Sequence, residues 1–188
     1  MKKKNDLIDF QKFIDGDKSV FEKIINKYKP YVYTICISIL KNKEDSEEVL
    51  QDVFVKIYFS LNKFKGKSSL KTWVYKITYN SCLERLKKNK KRLEIDSKLN
   101  EGYINEEDSI SFNSFNIDER IRILRESLTE LKPIESMVLT FFYLEELSIK
   151  EIVEITSIVN PTIKTILHRG RKNLFKKFKL KSKKNGIQ

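Results

Sequence analysis

Residues 147–171 read LSIKEIVEITSIVNPTIKTILHRGR. Ser148 stands three residues before Glu151, the spacing at which a Ser hydroxyl and a Glu carboxylate satisfy the first free amides of a helix. The helix opened there buries Ile149, Ile152, Val153 and Ile155. Thr156 to Val159 is a turn. Asn160 then caps a second helix with Pro161 at its first position. On that helix Ile163, Ile166, Leu167 and Leu174 share one face, and Thr162, Lys164, Thr165, His168, Arg169, Arg171 and Lys172 point elsewhere. Two capped helices around a short turn are the arrangement of a helix-turn-helix. Helix N-terminal amides and hydroxyls meet phosphates and base edges, while Lys and Arg neutralise the DNA backbone. A helical hairpin with a solvated basic face has the same spacing.

Helical periodicity continues upstream. Leu7, Phe10, Phe13 and Ile14 form a short stripe, broken at Gly16-Asp17. Ser19 and Glu22 have capping-box spacing and open a helix through Phe21, Ile24, Ile25 and Tyr28. Pro30 is placed in the first turn of the next helix, which carries Tyr31, Ile35, Ile39 and Leu40. Asp45, with Glu48 three residues on, opens a helix with Val49, Val53, Phe54, Ile57 and Leu61 inward. After a loop at 62–69, Ser68 or Ser69 caps a helix carrying Leu70, Trp73, Val74, Ile77, Leu83 and Leu86. It dissolves into Lys87–Arg92. Leu93 to Ile117 is acidic and Ser/Asn-rich, which reads as a flexible linker. Ile121, Leu124, Leu128 and Leu131 mark a helix ending before Pro133, and Ile134 to Tyr143 is an apolar, buried helix. The reading is all-α, as two small helical domains at 1–92 and 118–188 joined by a linker at 93–117.

Composition agrees. The chain has 188 residues, 40% hydrophobic and 34% charged, with only 5 Gly and 3 Pro. Scarce breakers favour long helices. The formal net charge is +12, and it is segregated. Residues 71–92 hold eight cations against Glu84. Residues 160–188 hold ten cations and no anion. The linker between them is acidic. Two basic patches separated by an acidic spacer point to a nucleic-acid partner rather than to a membrane. Cys36 and Cys82 form no Cys/His cluster, so they read as buried thiols in a reducing cytosol. The apolar run from Tyr31 to Leu40 is too short to span a bilayer, and no export signal follows Met1.

Three stretches together resemble the bacterial sigma factors of the extracytoplasmic-function group. Leu147–Arg171 is similar to the region-four helix-turn-helix. Asp45–Phe54 (DSEEVLQDVF) is similar to the region-two polymerase-docking helix. Phe64-Lys65-Gly66 followed by LKTWVYKI at 70–77 and Asn80 resembles the part that melts and reads the minus-ten element. The resemblance covers nearly the whole chain apart from the linker and tail. It implies that Asp45, Glu48, Gln51 and Asp52 meet the clamp of core RNA polymerase, with Phe54 as apolar anchor. It implies minus-ten contacts through Lys63, Lys65, Lys71, Trp73, Tyr75, Lys76, Tyr79, Asn80 and Arg85, the cations on phosphates and the aromatics on unstacked bases. Minus-thirty-five contacts fall to Ser148, Asn160, Pro161, Thr162, Lys164, Thr165, His168, Arg169, Arg171 and Lys172. The sequence departs from the family pattern at Val153, Ser157, Pro161, Ile166 and Gly170.

The function implied is promoter-specific initiation in the cytoplasm, with core RNA polymerase and promoter DNA as partners. Families of this kind are often held inactive by an anti-sigma factor, which makes one an expected partner class. The competing function is a free-standing helix-turn-helix regulator on an operator. It accounts for 147–171 but not for the aromatic-basic block at 71–92. No Asp/Glu/His set converges for magnesium or general acid–base work, and His168 has no metal-binding company. Neither catalysis nor a metal or other cofactor is expected.

Overall fold

A computed structural model describes residues 12, 17–96 and 117–184. The stripe at Leu7–Ile14 and the centre of the linker lie outside these residues. Among the described residues there is no strand. The helices are α1 (Ser19–Leu40), α2 (Lys43–Ser60), α3 (Leu70–Asp96), α4 (Ile117–Thr129), α5 (Pro133–Leu139), α6 (Ile149–Thr156) and α7 (Asn160–Lys184). A short 3-10 turn spans Leu61–Lys63, and a π-helical turn spans Thr140–Leu144.

Helices α1, α2 and α3 pack on one another around Val32, Ile35, Val53, Ile57 and Val74, none of them reached by solvent. Helices α4 to α7 pack around Ile123, Phe141, Ile152 and Ile163, equally sealed. The halves also touch: α1 lies against α5, and α3 lies against α6. Cys36 and Cys82 are buried 3.7 Å apart between α1 and α3.

Several local expectations are met. Ser148 and Glu151 form the capping box, and Ser69 Oγ accepts the Thr72 amide at 3.0 Å. Others are not. Helix α1 runs unbroken through Pro30. The missing amide costs about 3 kcal/mol in an isolated helix, but Tyr28, Val32 and Ile35 are buried on both sides of it, and Pro30 itself faces solvent. Ser19 caps nothing; its amide donates to Asp17 Oδ1 at 2.9 Å. Helix α2 begins two residues before Asp45, because Asn42 accepts the Asp45 amide at 2.8 Å. Helix α3 continues past Arg92 to Asp96. On α4 the sealed positions are Ile123 and Ser127, whereas Ile121 and Leu124 face outward.

Two departures in the second half have local structural roles. Ser157 takes the left-handed conformation (φ 59°) that ends α6, its amide donating to the Val153 carbonyl at 2.8 Å. Gly170 lies buried where α7 crosses α5: a Cβ there would meet Leu139 Cδ1 at 3.2 Å and Glu135 Cβ at 3.5 Å. Closeness of the helices, rather than flexibility, explains this glycine. Gly170→Val adds branched carbons to a full contact, an overpacking that costs about 1–3 kcal/mol. The expected outcome is a lower midpoint of urea unfolding with helix content retained.

Candidate nucleic-acid interface

Burial of Ile163, Ile166 and Leu167 against the second-half core fixes which face of α7 looks outward. All ten residues predicted for the minus-thirty-five element are exposed. They are not equally free. Ser148 is engaged in its capping box, and Thr165 Oγ1 donates to the Pro161 carbonyl at 3.0 Å. Arg171 donates to the Tyr143 hydroxyl at 3.2 Å. Arg169 Nε donates at 2.6 Å to Glu135 Oε1, on a carboxylate only 1% exposed. Asn173 bonds both oxygens of that carboxylate at 3.1 and 3.2 Å. A buried carboxylate needs such partners, so Arg169 holds α7 onto α5. Asn160, Pro161, Thr162, Lys164, His168 and Lys172 remain as the outward surface. Asn160 is the first residue of the helix rather than a flanking cap.

The minus-ten set divides as well. Lys63, Lys65, Lys76 and Asn80 are exposed. Trp73 is half-buried, its ring 5.1 Å from that of Phe64 in the preceding loop. Trp73, Lys76, Asn80 and Lys87 recur at helical spacing and share one face of α3. Tyr75 and Tyr79 are buried rather than presented to bases. Arg85 is bound to Asp45 at 3.1 Å and also to Glu48. That contact ties α3 to α2 and occupies one predicted DNA residue with two predicted polymerase residues. Asn89 adds a bond to Asp45 at 2.7 Å. Gln51 and Asp52 stand exposed, but Phe54 is 9% exposed and belongs to the core. The exposed large apolar residues of α2 are Val55, Tyr58 and Phe59, of which Val55 and Phe59 are the more exposed.

Tyr75 sits at the junction of the halves. Its ring stacks on Phe141 (6.1 Å between centroids, 9° between planes) and meets Tyr28 edge-on at 6.5 Å. Its hydroxyl donates to the buried carboxylate of Glu145. Lys71 donates to the Glu145 carbonyl, with Nζ also 3.6 Å from the carboxylate. Burial, with the Glu145 carboxylate second, pushes the Tyr75 phenol well above its ordinary range. Across the same two halves, Lys41 Nζ, on the residue that follows α1, donates at 2.9 Å to the Leu128 carbonyl near the end of α4. Sequence reasoning missed Glu135, Glu145 and Lys41. The available signal was a single carboxylate inside the apolar run 134–143, and another just after it.

Burial pushes Lys41 from 10.5 down to about 8. Its folded value lies below the unfolded one, so charging it opposes folding. That penalty is complete below pH 8 and fades as pH rises toward 10.5. Tyr75 works the other way: above about pH 10 the unfolded chain loses the phenolic proton first, and stability falls. The expected profile of urea midpoints rises between about pH 8 and 9 and levels off above that, where the unfolded chain also loses the Cys82 proton that the contact with Cys36 and burial retain in the fold; the rise disappears in Lys41→Met.

A separate apolar groove of about 580 Å³ runs between α4, the π-turn and α7, lined by Ile121, Leu124, Tyr143, Leu144, Phe175 and Phe178. Among the described residues no helix is long and apolar enough to cross a membrane.

Comparison with known proteins fits this geometry. The model of Sigma-70 region 2 matches residues 24–92, and that of Sigma-70, region 4 matches residues 121–174. The ECF RNA polymerase sigma factor SigW of Bacillus subtilis is 27% identical over 177 residues, covering 87% of this chain and 91% of that protein. SigM of the same organism, another ECF RNA polymerase sigma factor, is 27% identical over 153 residues, covering 81% and 91%. Among solved structures, the sigma factor RpoE in complex with the anti-sigma factor NepR from Bartonella quintana superposes with a TM-score of 0.67 at 18% identity, over 86% of this chain and 98% of that one. CnrH in complex with the cytosolic domain of CnrY gives 0.60 at 16% identity, over 90% and 94%. The last two show a shared fold. With a region-2 match on α1–α3 and a region-4 match on the helix-turn-helix half, the chain belongs to the sigma-70 family, in the extracytoplasmic-function group.

Proposed function

We propose that the chain binds core RNA polymerase and directs promoter-specific transcription initiation in the cytoplasm. It supplies recognition, and the chemistry belongs to the polymerase. The observation that carries this is the pairing of an outward recognition helix at Asn160–Lys172 with a second basic, Trp-bearing face on α3. A free-standing operator binder needs only the first. Residues 1–92 would serve the minus-ten element and the polymerase, and residues 118–188 the minus-thirty-five element.

Geometry adds a requirement. The two elements lie about 25 base pairs apart, roughly 85 Å along duplex DNA at about 3.4 Å per pair. A compact chain of this length has a radius of gyration of about 16 Å. With α3 against α6, one molecule does not reach both elements. The contacts of Tyr75, Lys71 and Lys41 therefore belong to an unengaged state, and the halves separate on the polymerase. Residues 97–116 would permit it, because twenty residues extend to at most about 70 Å and each half adds its own width. Two weak DNA sites held by one polymerase then gain through effective concentration. The apolar groove beside α7 fits a partner helix. Since RpoE and CnrH were each solved with a bound protein, an anti-sigma factor is the occupant we favour.

The test is to mix the chain with core polymerase free of other sigma factors and map transcript 5′ ends on an AT-rich genomic library. Discrete start sites that require the chain are expected. Lys164→Ala should change which promoters are used while leaving core binding intact. Tight operator binding by the chain alone, with no transcripts, would favour the free-standing regulator.

A further inference from the structure

Helix α2 carries an acidic face on a chain of net charge +12. Glu44, Glu48, Asp52, Val55 and Phe59 recur at intervals of four, four, three and four, so they form one stripe along the helix. Glu44, Glu48 and Asp52 make its first half acidic. Its second half is apolar: Val55 is 54% exposed and Phe59 72%. Phe59 is the most exposed of the large apolar side chains among the described residues. It is also held in place. Its ring meets that of Tyr58 edge-on at 5.5 Å, and Tyr58 meets Phe21 of α1 at 5.1 Å. A large ring left in water, yet oriented by a neighbouring aromatic pair, is a surface already ordered for contact.

We propose that Phe59, with Val55, is the apolar anchor by which this chain docks on core RNA polymerase, in the place first assigned to Phe54. The inference rests on the polymerase-binding reading above. The partner is a helical element of the polymerase with basic side chains opposite Gln51 and Asp52 and an apolar gap that receives Phe59. Three observations select it. The stripe repels nucleic acid at its acidic end. Asp52, Val55 and Phe59 at i, i+3 and i+7 have the spacing with which one helix meets another in a coiled-coil seam. Asp45 and Glu48 are partly neutralised by Arg85, so the acidic contribution to docking centres on Asp52 and the apolar contribution falls beyond it. An apolar centre beside a charged rim is the usual division of labour in a protein interface.

The experiment measures the affinity of the full chain for core polymerase by fluorescence anisotropy at low and moderate salt, together with sedimentation of the chain alone. Phe59→Ala is expected to weaken binding at least tenfold at both salts, and Phe59→Leu to keep it within about threefold. Asp52→Ala should weaken binding at low salt and matter less as salt rises. All three variants should unfold at the wild-type midpoint, because the altered side chains are exposed. Wild-type affinity in both Phe59→Ala and Val55→Ala, alongside tight wild-type binding, would overturn the anchor and leave the sigma-factor reading intact. A wild-type dimer that Phe59→Ala converts to monomer without loss of polymerase affinity would also overturn it, assigning the stripe to a contact between copies. A wild-type chain that never binds core would overturn the underlying reading as well.

Discussion

The carboxylate of Glu145 is 3% exposed, and a charge so placed costs several kcal/mol unless it is bonded. Tyr75 supplies the bond through its hydroxyl, and Lys71 supplies a nearby cation. Both come from α3, whereas Glu145 follows the π-turn of the second half. Because the phenol must reach that carboxylate, its ring lies flat on Phe141 and edge-on to Tyr28. Three elements from two halves are thereby fixed at a single side chain. The wider arrangement depends on it: α6 rests on α3, the outward face of α7 is left open, and part of α3 is covered. The contact is polar at its centre and apolar around it, which suits a junction that forms and separates rather than a permanent core.

Charge is segregated on the surface. Cations gather on α7 and at Lys87, Lys88 and Lys90 of α3, the faces proposed for DNA, whereas α2 carries an acidic stripe and ends in exposed apolar groups. On the proposed function, a surface of each sign on one small chain would keep the polymerase face from competing for DNA and the DNA faces from competing for the polymerase. Internal pairs reduce the free charge further. Arg85 spends its guanidinium on Asp45 and Glu48, and Arg169 spends its own on Glu135. Charge counted along the sequence therefore overstates the charge available to a partner.

Much of this was legible in the chain itself. Caps and apolar periodicity are local properties, so Ser148 with Glu151 marked α6, and Ile163, Ile166 and Leu167 fixed the phase of α7. The phase of α2 was less well determined. Val53, Phe54 and Val55 are consecutive and apolar; periodicity put Phe54 inward while the resemblance assigned it to the polymerase, and packing in the first-half core leaves Phe54 buried and Val55 exposed. Pro30 misled for a similar reason: its local penalty is smaller than the burial of the residues around it. The cross-half contacts could not be read, because Tyr75 and Glu145 are 70 positions apart and each looks ordinary in its own neighbourhood. Gly170 stood in the sequence only as a departure from the family pattern, and the approach of Leu139 gives it a reason.

The most direct measurement of the central claim is permanganate footprinting of promoter DNA, which detects unpaired thymines. If the chain directs initiation, reactive thymines will appear in the minus-ten region when chain and core polymerase are both present, and with neither alone. Melting by core without the chain would contradict the account. So would the absence of melting in their mixture, with a duplex footprint left by the chain alone.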